Sequence, residues 1–263
     1  MLSFIDCHLS LKKCSPFNGG KFEGWGTSFC WWPNRIGYLD ELSEQAAKLF
    51  FDPKEGLGLN IIRYNIGGGD DPTHHHITRT DSMVPGYAIN PSHDANGYHW
   101  SYDWNADQNQ RNVLMKVAEC YGKDLIVEGF SNSPPYFMTN SGCSSGSVNA
   151  GENNLREDAY GAFASYLADV AQHFSKEWGI HFQSMTAMNE PDTEYWHALS
   201  DKQEGCHFDP GESQSVMIIA LRKALDERGL NDILISGTDE TGIDCQINSI
   251  NSLSEVARET IAR

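Results

Sequence analysis

The sequence has no long apolar run. No stretch approaches the roughly 20 residues that a bilayer-spanning helix needs, so no membrane partner is expected. It is also poor in positive charge, with 19 Lys+Arg against 36 Asp+Glu and a net charge of −17 over 263 residues. Without a basic run nothing can displace counterions from a phosphate backbone, and a nucleic-acid partner is excluded with it. No Cys-x-x-Cys motif occurs among Cys7, Cys14, Cys30, Cys120, Cys143, Cys206 and Cys245, which removes zinc knuckles and thioredoxin-like sites. An odd number of cysteines cannot all pair, and most read as small buried hydrophobes. No Asn-x-Ser/Thr sequon with a permissive middle residue is found, and Asp6 interrupts the apolar region that a signal peptide would carry at the start. These absences lean towards an intracellular chain, or towards one whose true start lies further upstream.

Core formers, in contrast, are plentiful. Hydrophobic residues make up 40% of the chain, with 7 Trp, 10 Tyr and 12 Phe, too many for a disordered polymer. Apolar runs and amphipathic stretches alternate. Strands are expected at residues 22–28, 59–64, 124–130, 183–188 and 233–236. Helices are expected at 39–51, 107–120, 157–174, 212–228 and 247–262, from apolar residues at helical spacing. Leu42, Ala46, Leu49 and Phe50 form one such stripe; Phe163, Leu167, Val170 and Phe174 form another. Two polar stretches, about residues 70–105 and 131–153, are longer than ordinary connections and read as functional loops.

Strand–helix alternation implies parallel strands with helical crossovers. The long loops follow strands, whereas helix-to-strand connections are short. That asymmetry suits a (β/α) barrel, which works from the loops after its strands. About five βα units are present where a closed barrel has eight. The expected fold is therefore α/β, an incomplete (β/α)8 TIM barrel over residues 20–263 behind an N-terminal extension of residues 1–19. Such an open sheet would expose a strand edge and reduce solubility.

Three segments carry chemistry. Met188-Asn189-Glu190-Pro191-Asp192 follows the fourth expected strand directly. A carboxyl group at a strand end, walled by apolar side chains, can serve as a general acid; Asn189 supplies an amide beside it, and Pro191 holds the turn. In the second segment, Asn60 to Asp71, Arg63 sits inside an apolar strand. Burying it is costly unless a carboxylate faces it. Gly67-Gly68-Gly69 could form a phosphate nest, but Asp70 and Asp71 follow immediately and no Lys-Ser/Thr does, so nucleotide binding is rejected. The third segment, Phe130 to Met138, offers Asn132 and Tyr136 on a loop stiffened by Pro134 and Pro135. Together with Trp25, Trp31, Trp32, Trp100 and Trp104 these aromatics suit sugar rings, whose C–H faces are apolar and whose edges carry hydroxyls.

In this order, Gly24-Trp25-Gly26-Thr27-Ser28, Trp31-Trp32, Arg63 with Gly67-Gly68-Gly69-Asp70-Asp71, Asn132-Ser133-Pro134-Pro135-Tyr136 and Asn189-Glu190-Pro191 resemble glycoside hydrolase family 30, and most closely its endo-β-1,6-galactanase-like branch. The resemblance runs from about Gly20 to Asp244. It implies a (β/α)8 barrel, usually with an appended β-sandwich, and retaining hydrolysis of β-linked galactan. Glu190 matches the acid/base residue, Arg63 the strand-two arginine bordering the nucleophile, and Asn189 the amide that meets the sugar 2-hydroxyl. Asp70, Asp71, Asn132, Tyr136, Trp31 and Glu240 are the other expected substrate-binding residues. No metal and no organic cofactor is expected; the partner is a poly- or oligosaccharide. The resemblance also suggests secretion, against the composition.

The family nucleophile is a Glu at the end of strand seven. Retention needs two carboxyl groups about 5–5.5 Å apart, and none of Asp70, Asp71, Glu128, Asp239 or Glu240 corresponds to it. The expectation is an N-terminal portion of the hydrolase, lacking the later strands and the sandwich domain and inactive alone, from either a truncated gene or a split one whose C-terminal portion is encoded separately. Two rivals remain. One is a carbohydrate-binding remnant without turnover. The other is a serine hydrolase using Ser144 in Gly142-Cys143-Ser144-Ser145-Gly146, although that motif lies far from the strand and helix that a nucleophile elbow requires. His74-His75-His76 is read as solvated or sugar-contacting, because three consecutive histidines on an irregular loop do not readily converge on one ion.

Overall fold

The computed structural model describes residues 22–262; the N-terminal extension, Cys7 and Cys14 lie outside them. Five parallel strands form one sheet in the order β1 (Gly26–Ser28), β2 (Ile61–Asn65), β5 (Ile126–Phe130), β6 (Ser184–Thr186) and β7 (Leu234–Ile235). The sheet is crossed by helices α1 (Trp32–Ile36), α2 (Asp40–Phe51), α3 (Gln108–Tyr121), α4 (Tyr160–Glu177), α5 (Glu212–Glu227), α6 (Ile243–Ser252) and α7 (Glu255–Thr260). Sequential strands lie side by side, as right-handed βαβ crossovers require.

Alternation within the strands separates two environments. Ile62, Tyr64, Val127 and Met185 are buried towards the helices, while Ile61, Arg63, Ile126 and Glu128 face the other side and retain partial exposure. The helix-facing layer is the core. There Tyr64, Phe174 and Phe182 interlock at ring separations of 5.1–6.2 Å, each fully buried apolar side chain contributing about 1.5–3 kcal/mol. The α4 stripe is as expected, with Phe163, Leu167, Val170 and Phe174 inward. The α2 stripe is rotated: Ser43, Ala46, Ala47 and Phe51 are buried, whereas Leu42 and Leu49 are exposed. Short alanines let α2 pack closely on α3, and periodicity weighted by side-chain size chose the wrong face.

The expected loop at 70–105 contains an antiparallel hairpin, β3 (Ala88–Asp94) and β4 (Gly97–Tyr102). Asn90, Pro91 and a register shift between Ile89 and Ser92 disguise its alternation. The expected closing helix at 247–262 begins earlier and breaks between α6 and α7, where Ser254 caps the second piece by accepting from the Ala257 amide. Ile261 then pairs with Ile235 in parallel, its neighbour Ala262 donating to the Ile235 carbonyl at 3.1 Å. The first strand also starts later than expected. Gly26 is needed in it because a Cβ there would sit 2.5 Å from the Ile61 carbonyl oxygen.

Candidate active site

Four residues share one row across the sheet: Ser28 pairs with Arg63, Arg63 with Glu128, and Glu128 with Ser184. All four point to the side away from the helices and border a small cavity there. The Arg63 guanidinium is satisfied on every edge. Its Nε donates to Glu128 Oε1 at 3.1 Å and Nη1 to Asn189 Oδ1 at 2.9 Å, and Nη2 pairs with Asp239. Its face lies 3.6 Å from the centre of the Phe130 ring. Glu128 in turn accepts from the Ser184 and Ser236 hydroxyls at 2.9 and 2.7 Å. The carboxylates that an arginine inside an apolar strand demanded are Glu128 and Asp239.

Glu190 follows β6 in the left-handed region, with φ of 51°, a conformation uncommon for Glu. Its backbone is held on both sides. The N–H donates to the carbonyl of Asp239 at 2.9 Å, and the carbonyl accepts from Thr193 Oγ1 at 2.7 Å and Trp196 Nε1 at 3.2 Å. Asp239 is likewise left-handed, with φ of 50°, so two strained residues join the loops after β6 and β7. The side chain of Glu190 lines a cleft of about 780 Å³, shared with Arg63, Asn189, Asn132, Trp31 and Tyr195. Tyr195 donates its hydroxyl to Glu190 Oε2 at 2.6 Å. Because Asn189 Oδ1 is committed to Arg63, its NH₂ is the donor it has left to offer a ligand. Partial desolvation, reinforced by the Glu128 charge, raises the pKa of the half-exposed Asp239 in spite of Arg63.

The matching family model is O-glycosyl hydrolase family 30, over residues 21–252. The chain belongs to that family. It is 37% identical over 265 aligned residues to an endo-beta-1,6-galactanase of Hypocrea rufa, covering 94% of this chain and 52% of the relative. It is 26% identical to an exo-beta-1,6-galactobiohydrolase of Bifidobacterium longum, covering 95% and 22%. The backbone superposes on the catalytic domain of the GH30 xylanase C of Talaromyces cellulolyticus with a TM-score of 0.66 at 19% identity, covering 91% of this chain and 51% of the other. The chain thus spans about half the length of the first of these curated relatives and less than a quarter of the second.

The expected site residues divide into three groups. Arg63, Asn189, Glu190, Asn132 and Trp31 meet at the cleft. Asp70 and Asp71 instead line a neighbouring cavity of about 260 Å³ with His74, His75, His76 and Glu204. Tyr136 stands near these two aspartates, and burial, followed by their charges, raises its pKa. Glu240 is not a cleft residue. It lies beneath the Glu190 loop, accepting from the Asp192 amide at 3.0 Å, Ser249 Oγ at 2.7 Å and Gln214 Nε2 at 3.3 Å, and burial raises its pKa. The expectation that Glu240 lines the cleft is corrected: its lone pairs are used to hold the loop.

Of the five tryptophans marked in the sequence, Trp31 alone lines the cleft. Trp32 packs edge-on to Phe29 and Phe50. Trp104 stacks on His173 at 3.7 Å, Trp100 meets Tyr102 and Phe137, and Trp25 is exposed. Tyr195, Trp196, His197, Ser200, Lys202 and Gln203 complete the cleft and were not foreseen. The available signal was their place in the segment directly after Glu190. Gly68 explains the glycine run without a phosphate: a Cβ there would lie 2.5 Å from the Ser133 and Pro134 carbonyls, where the loops after β2 and β5 touch.

Ser144 is fully buried in an irregular loop, and its Oγ has no hydrogen-bond partner. Among the described residues no base is hydrogen-bonded to it, which removes the support for a serine hydrolase. The five described cysteines are free thiols. The expectation that the histidine run cannot converge fails for two of its members: His74 and His76 meet Asp70 and Cys143, with ligand atoms of all four within 4.8 Å of one another. The two rings lie 5.5 Å apart, brought together by the turn that starts at Asp71, whose carbonyl accepts from the His74 amide at 2.9 Å.

Proposed function

We propose that the chain forms the acid/base side of a retaining glycoside hydrolase acting on β-1,6-linked galactan. The observation that carries this reading is Glu190, held in a left-handed turn at a strand end, its carboxyl group lining a polar and aromatic cleft beside Arg63 and Asn189. In the first step Glu190 donates its proton to the glycosidic oxygen as the C–O bond breaks. In the second it takes a proton from the water that releases the sugar from the nucleophile. Asn189 holds the 2-hydroxyl; Arg63, drawn taut between Glu128 and Asp239, keeps Asn189 in position. Trp31 and Asn132 contact the sugar, and no organic cofactor enters.

The fold reading is the first five strands of a (β/α)8 barrel. The partly exposed inner face of β2 and β5 supports it, as do Ile261 and Ala262, which enter the position of a sixth strand beside β7. The nucleophile then belongs to a later strand of that barrel. Glu128 and Asp239 are both engaged by Arg63 and are poor substitutes. The galactan-acting relatives support the substrate.

The test uses the 263-residue chain with β-1,6-galacto-oligosaccharides. Calorimetry is expected to register weak binding, and product analysis no cleavage. Addition of a partner chain carrying the later strands of a family relative is expected to restore turnover that Glu190→Gln abolishes. Robust cleavage by these 263 residues alone would overturn the placing of the nucleophile on a later strand. Binding with no turnover in the complemented complex would favour the carbohydrate-binding remnant.

A further inference from the structure

Beside the cleft, separated from it by the loop that carries Ser200, lies the group formed by Asp70, His74, His76 and Cys143. We propose that these four side chains bind one divalent transition-metal ion, with zinc as the best match to two imidazoles, a thiolate and a carboxylate. None of the glycosidase chemistry above uses them, and the inference does not depend on that chemistry.

The hydrogen bonds assign the atoms. His76 Nδ1 lies 2.6 Å from the carbonyl oxygen of Ser200, and a carbonyl can only accept, so Nδ1 carries the proton. Nε2 of the neutral ring then presents a lone pair. It faces Asp70 Oδ2 at 2.5 Å and Cys143 Sγ at 3.3 Å, two groups that are electron-rich in their ionised forms. A cation placed among them turns that opposition into coordination. The backbone carbonyl on the far nitrogen is the partner that orients a metal-bound histidine. His74 Nδ1 stands 3.3 Å from Asp70 Oδ1.

Ligands around a tetrahedral ion at 2.0–2.3 Å lie roughly 3.3–3.8 Å apart. The His76–Cys143 separation already falls there, as does His74–Asp70 with Oδ1 as the ligand, and all the ligand atoms lie within 4.8 Å of one another, so that small side-chain shifts complete the shell. Cys143 is buried, and its sulfur accepts from the Leu199 amide at 3.3 Å. That contact suits a thiolate.

A second observation favours a positive charge there. Glu204 is 2% exposed and lines the same cavity as Asp70, His74 and His76. Its Oε1 accepts from the Gly69 amide at 3.1 Å, while its Oε2 has no hydrogen-bond partner among the described residues. A buried carboxyl oxygen left in that state is costly unless a proton, a cation or a bound water answers it. The ion would tie together three segments beside the cleft: Asp70 to His76 after β2, Cys143 after β5, and, through the Leu199 amide and the Ser200 carbonyl, the loop after β6.

The experiment dialyses the full chain against zinc chloride and then against metal-free buffer, counts metal by mass spectrometry, and repeats the loading with cobalt(II). One zinc per chain is expected, together with a tetrahedral cobalt spectrum that includes a thiolate-to-cobalt charge-transfer band. Cys143→Ser should remove that band, and His76→Ala should weaken zinc binding about tenfold or more. Circular dichroism checks that both variants are folded. Wild-type chain that retains no zinc would overturn the proposal whatever the variants do, as would a thiolate band that survives Cys143→Ser.

Discussion

Arg63 and Glu128 stand opposite each other in the register of β2 and β5, and the guanidinium Nε of one donates to a carboxylate oxygen of the other at 3.1 Å. Both side chains are about one-fifth exposed. The pair is therefore neither a solvated surface bridge nor a dry one, and its geometry rather than its charge gives it value. The same guanidinium reaches Asn189 and Asp239 and stacks on Phe130.

Arg63→Lys keeps the charge and loses the planar fork and the stacking face. A single ammonium cannot serve Glu128, Asn189 and Asp239 from their present positions. The expected loss is about 1–3 kcal/mol, below the 3–5 kcal/mol of a fully buried pair because water reaches this one. Arg63→Met should cost more, since two carboxylates then repel each other without a partner. Urea unfolding of the three proteins measures both effects. Midpoints that coincide would mean that the contacts contribute nothing to stability.

Tyr195 and Trp31 bear on saccharide binding. Tyr195→Phe removes the hydroxyl that donates to Glu190 at 2.6 Å while keeping the ring. Affinity for a β-1,6-galacto-oligosaccharide should fall by about 3- to 10-fold, the value of one hydrogen bond. Trp31→Ala removes an aromatic wall of the cleft and should weaken binding by at least about tenfold. Trp25→Ala is the control, because that ring is 72% exposed and is not part of the cleft lining. Equal losses in all three titrations would count against the cleft as the sugar site.

Glu240 separates a loop anchor from a sugar contact. Its carboxylate gathers Asp192, Ser249 and Gln214. Removing it with Glu240→Ala leaves several donors without an acceptor and should cost about 2–3 kcal/mol. Glu240→Gln keeps an acceptor oxygen and should recover part of that. Thermal melts would report the stability, and saccharide titration of Glu240→Gln should match the parent. A variant with parental stability and lost binding would restore the cleft assignment.

The legible parts of this molecule were those with strong local periodicity or a costly residue in an apolar setting. The five strands, the α4 face, the carboxylate partner of Arg63 and the strand-end position of Glu190 could all be reasoned from such signals. What escaped was decided by contacts distant in sequence. Asp70 and Asp71 follow Arg63 closely, yet the glycine run turns them into a different cavity. Cys143 joins His76 across 67 residues. The β3–β4 hairpin hid behind a proline and a bulge. Glu240 gave no sign that Ser249 and Gln214 would claim its oxygens, because hydrogen-bond demand is a property of the packed chain.

The last prediction concerns Asp107, whose carboxyl group is buried at the start of α3. It accepts from the Tyr64 hydroxyl at 2.5 Å and Gln110 Nε2 at 2.7 Å through one oxygen, while its other oxygen has no hydrogen-bond partner. Burial is the dominant influence and lifts its pKa to about 7, against the two hydrogen bonds and the Arg111 charge. The sign follows from which state holds the proton. An acid whose folded pKa exceeds its unfolded value binds the proton more tightly when folded, so its contribution is complete below the unfolded value near 3.9 and is lost as pH rises towards 7. Stability should therefore decline by a few kcal/mol at most between about pH 4 and pH 7 on account of this residue. Asp107→Asn should flatten that decline. Asn retains an acceptor for Tyr64 and Gln110, carries no charge, and tolerates the left-handed backbone found here, with φ of 52°. Urea unfolding of both proteins at intervals across this range provides the check. Parallel stability curves for parent and variant would refute a protonated, buried Asp107.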